Sequence, residues 1–223
     1  MDQFNTILER AAQRKGGTEA LEALMPQPKS PSALSEIGDD RYLAGMTKGV
    51  FQAGFVWRVV ENKWPDFEAV FEGFNPRRVA SMNDEELEGL MNDPRIIRHW
   101  QKLKATRENA TFVVDLATRH GSAARFFADW PTDDIVGLFD VLKRQGSRLG
   151  GMTGQYYLRS MGKDTFIITK DVSAALVAQG VVDKSPSSKR DLAAVQDAFN
   201  AWHAESGRPY SHISRVLAFS VGD

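Results

Sequence analysis

The residues best suited to chemistry in this chain are a run of glycines with cations beside it, KRQGSRLGGMTG, from Lys143 to Gly154. Four of the nine residues from Gly146 to Gly154 are glycine, and Lys143, Arg144 and Arg148 bring positive charge to the same stretch. Glycine inside an element costs roughly 0.5–1 kcal/mol against alanine. The turn therefore needs left-handed dihedrals, or something must come very close to its backbone. A helix ending at Gly146 and another starting near Met152 would form a hairpin. Its unpaired N–H groups and the positive end of the second helix would converge on an anion. In that reading Gly150, Gly151, Thr153 and Gly154 let a phosphate reach the backbone, and Lys143 and Arg148 supply point charges. In the other reading the stretch is a plain corner, where Gly146 ends a helix and Gly150 and Gly151 relieve crowding. The turn alone leaves both open.

Composition removes several classes of function. The chain has 223 residues, 42% of them hydrophobic, enough for a sizeable core. It has no cysteine, hence no disulfide and no thiolate metal site. The histidines, His99, His120, His203 and His212, match no metal-ligand spacing, so no metal and no cofactor are expected. No apolar run approaches a membrane span, and the N-terminal residues lack a signal-peptide pattern, which makes the cytoplasm the expected compartment. The formal net charge of −1 gives no general attraction for nucleic acid, so a basic surface would need local segregation. Such segregation exists. Arg95 to Arg107 holds five basic residues and no acid, and Lys143 to Lys170 holds six against Asp164 alone.

The elements that must position these residues are helical nearly throughout. Phe4, Ile7, Leu8 and Ala11 share one helix face, and Gly16 and Gly17 stop it. Residues 26–32, PQPKSPS, read as a linker. The region 41–64 reads as two helices or one bent helix, with a further short helix opening at Pro65 and a long one opening at Pro94. Thr18, the pair Asp39/Asp40, Ser122, Thr132, Asp171, Ser187 or Ser188, and Ser211 are the expected N-caps. Only DTFIIT, residues 164–169, looks strand-like. The expectation is an all-α fold of about ten short helices. Residues 1–32 would form N-terminal helices and a linker, and 33–223 one domain with its hairpin near 143–162.

The hairpin stretch GSRLGGMTGQYYLRSMG resembles the helix-hairpin-helix element of the base-excision DNA glycosylase superfamily, with Leu149, Gly150, Gly151 and Thr153 at the family's turn positions. Residues 51–110 are similar to the bacterial 3-methyladenine DNA glycosylase I family. The shared features are Q-A-G-x-x-W, F-x-P-x-x-V-A, an acidic helix, D-x-x-I-I-R and a lysine-containing helix ending in N-A, in the same order over sixty residues. The resemblance covers roughly residues 33–175.

It implies hydrolysis of the N-glycosidic bond of an alkylated purine in damaged double-stranded DNA, with the nucleotide flipped into an aromatic pocket. Trp57 falls on the family's pocket tryptophan, and an indole face suits a cationic base. Phe51, Gln52, Phe55 and Tyr42 are further pocket candidates. In the wider superfamily a catalytic aspartate follows the hairpin at the start of the next helix, the place of Asp171; Asp164 is the weaker alternative. No lysine occupies an evident Schiff-base position, so a monofunctional, monomeric enzyme is expected. The chain departs from the family in two ways. Without cysteine it lacks the family's zinc clasp, and packing of the C-terminal helices would hold the ends instead. The family glutamate that hydrogen-bonds the damaged base is here Gly49. That departure favours the alternative, a DNA-binding protein of the same fold that is inactive or acts on a different lesion.

Overall fold

Helix after helix in this chain stops at a glycine or opens on a side-chain cap. The structure, a computed structural model, describes residues 1–221. Fourteen α-helices and two 3-10 turns, with no strand, account for the regular structure among them. The first helix, α1 (Phe4–Lys15), ends at Gly16 with φ 89°, a left-handed value that glycine adopts without a Cβ penalty. It is followed by α2 (Thr18–Glu22), α3 (Pro31–Ser35), α4 (Asp39–Gln52) and α5 (Trp57–Val70). Next come α6 (Pro76–Ala80), α7 (Asp84–Leu90), α8 (Trp100–His120) and α9 (Ala123–Asp129). The chain then runs through α10 (Ile135–Gln145), α11 (Met152–Met161), α12 (Lys170–Ala178), α13 (Lys189–Ser206) and α14 (Tyr210–Ser220).

Several boundaries differ from the sequence reading, each for a local reason. The region 41–64 is two helices, broken at Ala53–Val56, where Gly54 takes φ 83°. Pro65 opens no helix; it sits inside α5, which runs on through it. Pro94 opens none either. The Asp93 carboxylate accepts from the Arg95 amide, and Lys63 Nζ donates to the carbonyls of Pro94 and Arg95, so those groups are already engaged and α8 starts at Trp100. Thr169, not Asp171, caps α12, by accepting from the Val172 amide. Ser211 is not the cap of α14: both oxygens of Asp164 accept the amides of Tyr210 and Ser211. That structural duty accounts for Asp164. Thr132 lies in a 3-10 turn (Thr132–Asp134), and Asp134 accepts from the Gly137 amide instead. Thr18 follows a Gly17 N-cap, and α4 has Gly38 as its N-cap, while Asp39 accepts from the Ala124 amide at the start of α9. Ser122 and Ser188 are caps, the latter in a reciprocal capping box with Asp191. Residues 164–169 form no strand.

The chain folds into two compact units. One comprises Met1–Lys29, Pro131–Leu138 and Gly162–Asp223. There α14 packs on α1, α12 and α13, around Phe166 stacked on Phe199 with centroids 4.2 Å apart. Trp202 Nε1 donates to the Asp2 carbonyl, and Arg208 makes a bidentate pair with Glu22. The other unit comprises Ser30–Trp130 and Phe139–Met161. There α8 packs against α4, α6 and α9, and α11 lies on α4. Trp64, Phe67, Phe71 and Phe74 form a run of stacked rings along one flank of its core.

Candidate active site and DNA-binding hairpin

The glycine turn is built by packing before it can bind anything. The amide of Gly146 closes the last turn of α10 on the Leu142 carbonyl. A Cβ at Gly146 would lie 2.7 Å from the Leu149 side chain and 2.8 Å from the Leu142 carbonyl oxygen, and one at Gly154 would collide with the Leu149 carbonyl. Those two glycines are required by close packing around the buried Leu149. Gly151 is required by its backbone, at φ 60°. Gly150 is bound by neither condition, since the nearest atoms a Cβ there would meet belong to Lys143, at 3.4 Å and beyond, ordinary contact. Arg148 adopts φ 59° without being glycine, a sparsely populated conformation that costs of order 1–3 kcal/mol.

A side chain that sequence reasoning passed over holds this strained turn. The fully buried Asn109 accepts from the Ser147 amide at 2.7 Å and donates to the Ser147 carbonyl at 3.1 Å. Asn109 lies in the middle of α8, which continues to His120 rather than ending there. Lys143, Arg144 and Arg148 are exposed around the turn, while Thr153 is half-buried.

Beside the hairpin helix is a cavity of about 310 Å³, at the small end of ligand-binding pockets. Helix α4 contributes Gly45, Lys48, Gly49 and Gln52, which share one face at helical spacing. Helix α5 contributes Trp57 and, one turn on, Glu61. Helix α11 contributes Tyr156, Tyr157, Arg159 and Ser160. Trp57 and Tyr156 meet edge to face, with centroids 6.0 Å apart at 86°, and stay 54% and 40% exposed. Lys48 Nζ donates to one Glu61 oxygen at 2.7 Å, and Gln52 Nε2 donates to the other at 3.1 Å.

Of the residues named from sequence as pocket candidates, Trp57 and Gln52 line this cavity. Phe51 and Tyr42 do not. Phe51 is 0% exposed, edge-on to Phe67. Tyr42 is 1% exposed, stacked on Phe127, with its hydroxyl donating to the Leu34 carbonyl. Both are packed in the interior, on the core side of α4, and contribute nothing to the lining of this cavity. Phe55 lies outside the lining, partly exposed, with the Lys102 ammonium 4.4 Å from its ring centroid. Tyr156, Tyr157 and Glu61 went unnoticed in the sequence. The signal was present: Glu61 stands four residues after Trp57, and Tyr156 lies on the hairpin's second helix.

Gly49 opens onto the cavity. A Cβ there would meet the Thr153 and Tyr157 side chains at 3.8 Å, ordinary contact. The ring of buried Tyr157 lies across Gly45, 3.3 Å from where a Cβ would stand. Burial, and then the nearby Tyr42 and Asp39, push the Tyr157 phenol up and keep it protonated. Behind the cavity the buried Lys102 ammonium donates to the carbonyls of Phe51 and Ala53 at 3.2 and 2.6 Å, and so closes the C-terminal end of α4. Burial first, and Arg148 second, push Lys102 down to about 8. Asp171 is exposed in the first turn of α12, in the unit that holds the chain ends, and is not among the cavity-lining residues. Among the described residues no group of three or more His, Asp or Glu is placed to hold a metal ion, and no helix is long and apolar enough to cross a membrane.

A glycine hairpin whose second helix also walls an aromatic cavity, in an all-helical chain, defines the fold class of the helix-hairpin-helix DNA glycosylases. Within the chain, residues 35–138 match the sequence model of the methyladenine glycosylase family. DNA-3-methyladenine glycosylase 1 of Escherichia coli K12 is 42% identical over 59 residues, 26% of this chain and about a third (32%) of that protein's length. A crystal structure of 3-methyladenine DNA glycosylase I is 25% identical, with a TM-score of 0.50 over 65% of this chain and 87% of that one. An 8-oxoguanine glycosylase/lyase from Methanocaldococcus jannaschii, solved with DNA containing 8-oxoguanine, is 14% identical with a TM-score of 0.52, covering 96% of each chain; that likeness concerns the fold alone.

Proposed function

We propose that the protein is a monofunctional DNA glycosylase that hydrolyses the N-glycosidic bond of alkylated purines such as 3-methyladenine in duplex DNA. The observation that carries this reading is the exposed Trp57, edge to face with Tyr156 in the lining of a cavity whose wall, α11, is the outgoing helix of the hairpin. One helix thereby links a phosphate grip to a base slot. The backbone at Gly150 and Gly151, with Lys143, Arg148 and Thr153 beside it, would hold the DNA backbone next to the lesion. Phe55, Val56 and Trp57 form an exposed apolar edge, the surface type that enters an unstacked duplex. A flipped cationic purine would stack on the indole of Trp57, with Gln52 within the same cavity to contact its edge. Hydrolysis of such a base needs little activation, because the leaving group is already charged. Asp171 is the candidate for stabilising the sugar cation that develops as the base departs. The enzyme would work as a cytoplasmic monomer without metal or cofactor.

The experiment is release of free base from duplex DNA methylated at N3 of adenine, followed under single-turnover conditions. A protein that binds the duplex in a salt-dependent way and releases no base would instead fit the second reading, a DNA-binding protein of this fold without base chemistry. Gly49 is the residue that favours that reading.

A further inference from the structure

Two buried polar side chains of α8, Lys102 and Asn109, make contacts that the packing of this helix does not ask of them. Both belong to the stretch KLKATRENA, residues 102–110. Its other lysine, Lys104, is exposed beside Glu108. Lys102 is 3% exposed and Asn109 is 0% exposed. Seven residues apart, they stand two turns apart on one face of the helix. Burying an ammonium is costly, and an apolar side chain would fill the same space without that cost. What a lysine adds here is its donors. The break after α4, opened by Gly54 at φ 83°, leaves the last carbonyls of the helix short of intrahelical donors. Lys102 Nζ donates to two of them, those of Phe51 and Ala53. The same ammonium sits 4.4 Å from the ring centroid of Phe55, with His99 edge-on to that ring at 6.3 Å. Phe55 is nonetheless 37% exposed. One cation thereby holds both the backbone of the break and the first side chain of the exposed apolar edge at Phe55, Val56 and Trp57. Two turns on, Asn109 holds the hairpin turn through Ser147.

We propose that α8 sets the register of this protein on damaged duplex: Lys102 is the positioning residue of the segment that enters the DNA, acting through Phe55, and Asn109 is that of the turn that grips phosphate. The inference rests on the glycosylase reading for its ligand. It goes beyond that reading in giving entry and grip to separate residues of one helix. The two anchors lie about 10 Å apart along α8. That is the axial rise of about three base steps, so both fall within reach of one lesion and its neighbours. A ring that enters a duplex must displace stacked bases, and a loop free to swing would yield instead. Lys102 removes that freedom at two carbonyls and one ring before DNA arrives, so little ordering remains for binding. The phosphate turn is held by different atoms, so entry and grip can fail separately.

The probe is a duplex carrying a tetrahydrofuran abasic analogue beside 2-aminopurine, a base whose fluorescence rises when it unstacks. Affinity from anisotropy reads the grip, and 2-aminopurine emission at saturating full-length protein reads the entry. Lys102→Met should keep duplex affinity within about twofold and lose most of the emission rise. It should also slow single-turnover base release from methylated duplex on the order of tenfold, the scale of one lost base–aromatic contact. Asn109→Ala should do the reverse, with weaker affinity for every duplex and the emission rise at saturation kept. Phe55→Ala should reproduce Lys102→Met, and the double variant should add nothing, because one side chain acts through the other. A lysine that only stabilises the fold would lower affinity and emission in parallel, or add its own loss to that of Phe55→Ala; either result overturns the proposal. Phe55→Leu keeps apolar bulk at a partly exposed position and takes the ring from the ammonium, so it tests the same contact even where Lys102→Met does not fold. Wild-type emission from Phe55→Leu overturns the role of Lys102. A wild type that unstacks the probe but releases no base sinks the glycosylase reading alone. Base release with unaltered emission in a folded Lys102→Met protein sinks the proposal alone.

Discussion

Asn109 and Ser147 exchange two hydrogen bonds across 38 positions of sequence, amide to side-chain oxygen and side-chain nitrogen to carbonyl. This clasp fixes the entry to the hairpin one residue before Arg148 turns left-handed. Asn109→Ala leaves both backbone groups of Ser147 without that partner. It should cost about 1–3 kcal/mol of stability, the penalty for a buried polar group left unsatisfied. Asn109→Asp keeps the acceptor and loses the donor, and should fall between. Chemical denaturation gives the first number. Duplex affinity gives the second, and under the proposed phosphate grip it should drop in both variants because the turn is no longer held.

Trp57 and Phe51 test whether the exposed aromatic and the buried one have separate duties. Trp57→Ala removes little packing and should leave stability nearly intact. It should slow release of a cationic base by the equivalent of roughly 1–3 kcal/mol, the scale of base–aromatic stacking. Phe51→Ala should cost about 3–5 kcal/mol in stability, as large-to-small core changes do. A Trp57→Ala protein that melts far earlier yet keeps its base release would place the ring in the core after all.

The four hairpin glycines should not behave alike. Gly154→Ala drives a methyl group into the Leu149 carbonyl and should disrupt the turn outright. Gly151→Ala carries the strain of φ 60°. Gly150 has neither constraint, so Gly150→Leu should leave the fold in place and only block approach to the backbone. Its expected signature is weaker binding to damaged and undamaged duplex alike, because phosphate contacts carry no sequence information. Unchanged affinity in a folded Gly150→Leu protein would remove the phosphate-grip reading.

The contrast among these residues also explains how much the sequence could tell. Helical periodicity and the glycine run located the elements and the hairpin, because both are local properties of the chain. Gln52 and Trp57, singled out by their place in the Q-A-G-x-x-W motif, both line the cavity beside α11. Phe51 and Tyr42 were misplaced because an aromatic residue on an amphipathic helix looks the same whether its face meets the core or a cavity. Asn109, Glu61 and Tyr156 were missed since their partners, Ser147, Lys48 and Trp57, lie on other elements. The caps failed in a similar way at Ser211, where the carboxylate of Asp164, 47 residues away, does the work.

Lys102 makes a pH-dependent prediction. Folding lowers its titration to about 8, whereas the unfolded side chain titrates near ~10.4. Between these values the unfolded chain holds the extra proton, so stability contributed at this site rises with pH across that window. Below about pH 8 both states are charged and the cost of burying the ammonium is present in full. Lys102→Met should abolish this slope while losing the two bonds that close α4. Comparing the stability of both proteins at pH values on either side of the window checks the sign. A wild type that loses stability relative to Lys102→Met as pH rises from 8 would contradict it.

Asp171 and Thr169 can now be tested apart. Thr169→Ala removes the cap of α12 and should cost about 1 kcal/mol without touching catalysis. Asp171→Asn keeps the shape of an exposed side chain and should hardly alter stability. If Asp171 faces the developing sugar cation, base release should slow on the order of 100-fold with lesion binding retained, the scale of losing one electrostatic stabiliser. Single-turnover release within twofold of wild type would leave catalysis to the lability of the cationic base and its fit in the pocket.

The unit that joins the first residues to the last also constrains the order in which the chain can fold. Phe4 donates its amide to Glu205, 201 positions later, and α1 packs on α14. During synthesis α1 emerges well before α14, one of the helices it packs on. Closing so long a loop is entropically costly, and the apolar face of α1 stays uncovered until then. The unit built on α4 and α8, by contrast, has all its residues in hand by Met161. It can complete its core while α1 waits, so a chain interrupted before α14 would expose the apolar face of α1 to chaperone capture or proteolysis.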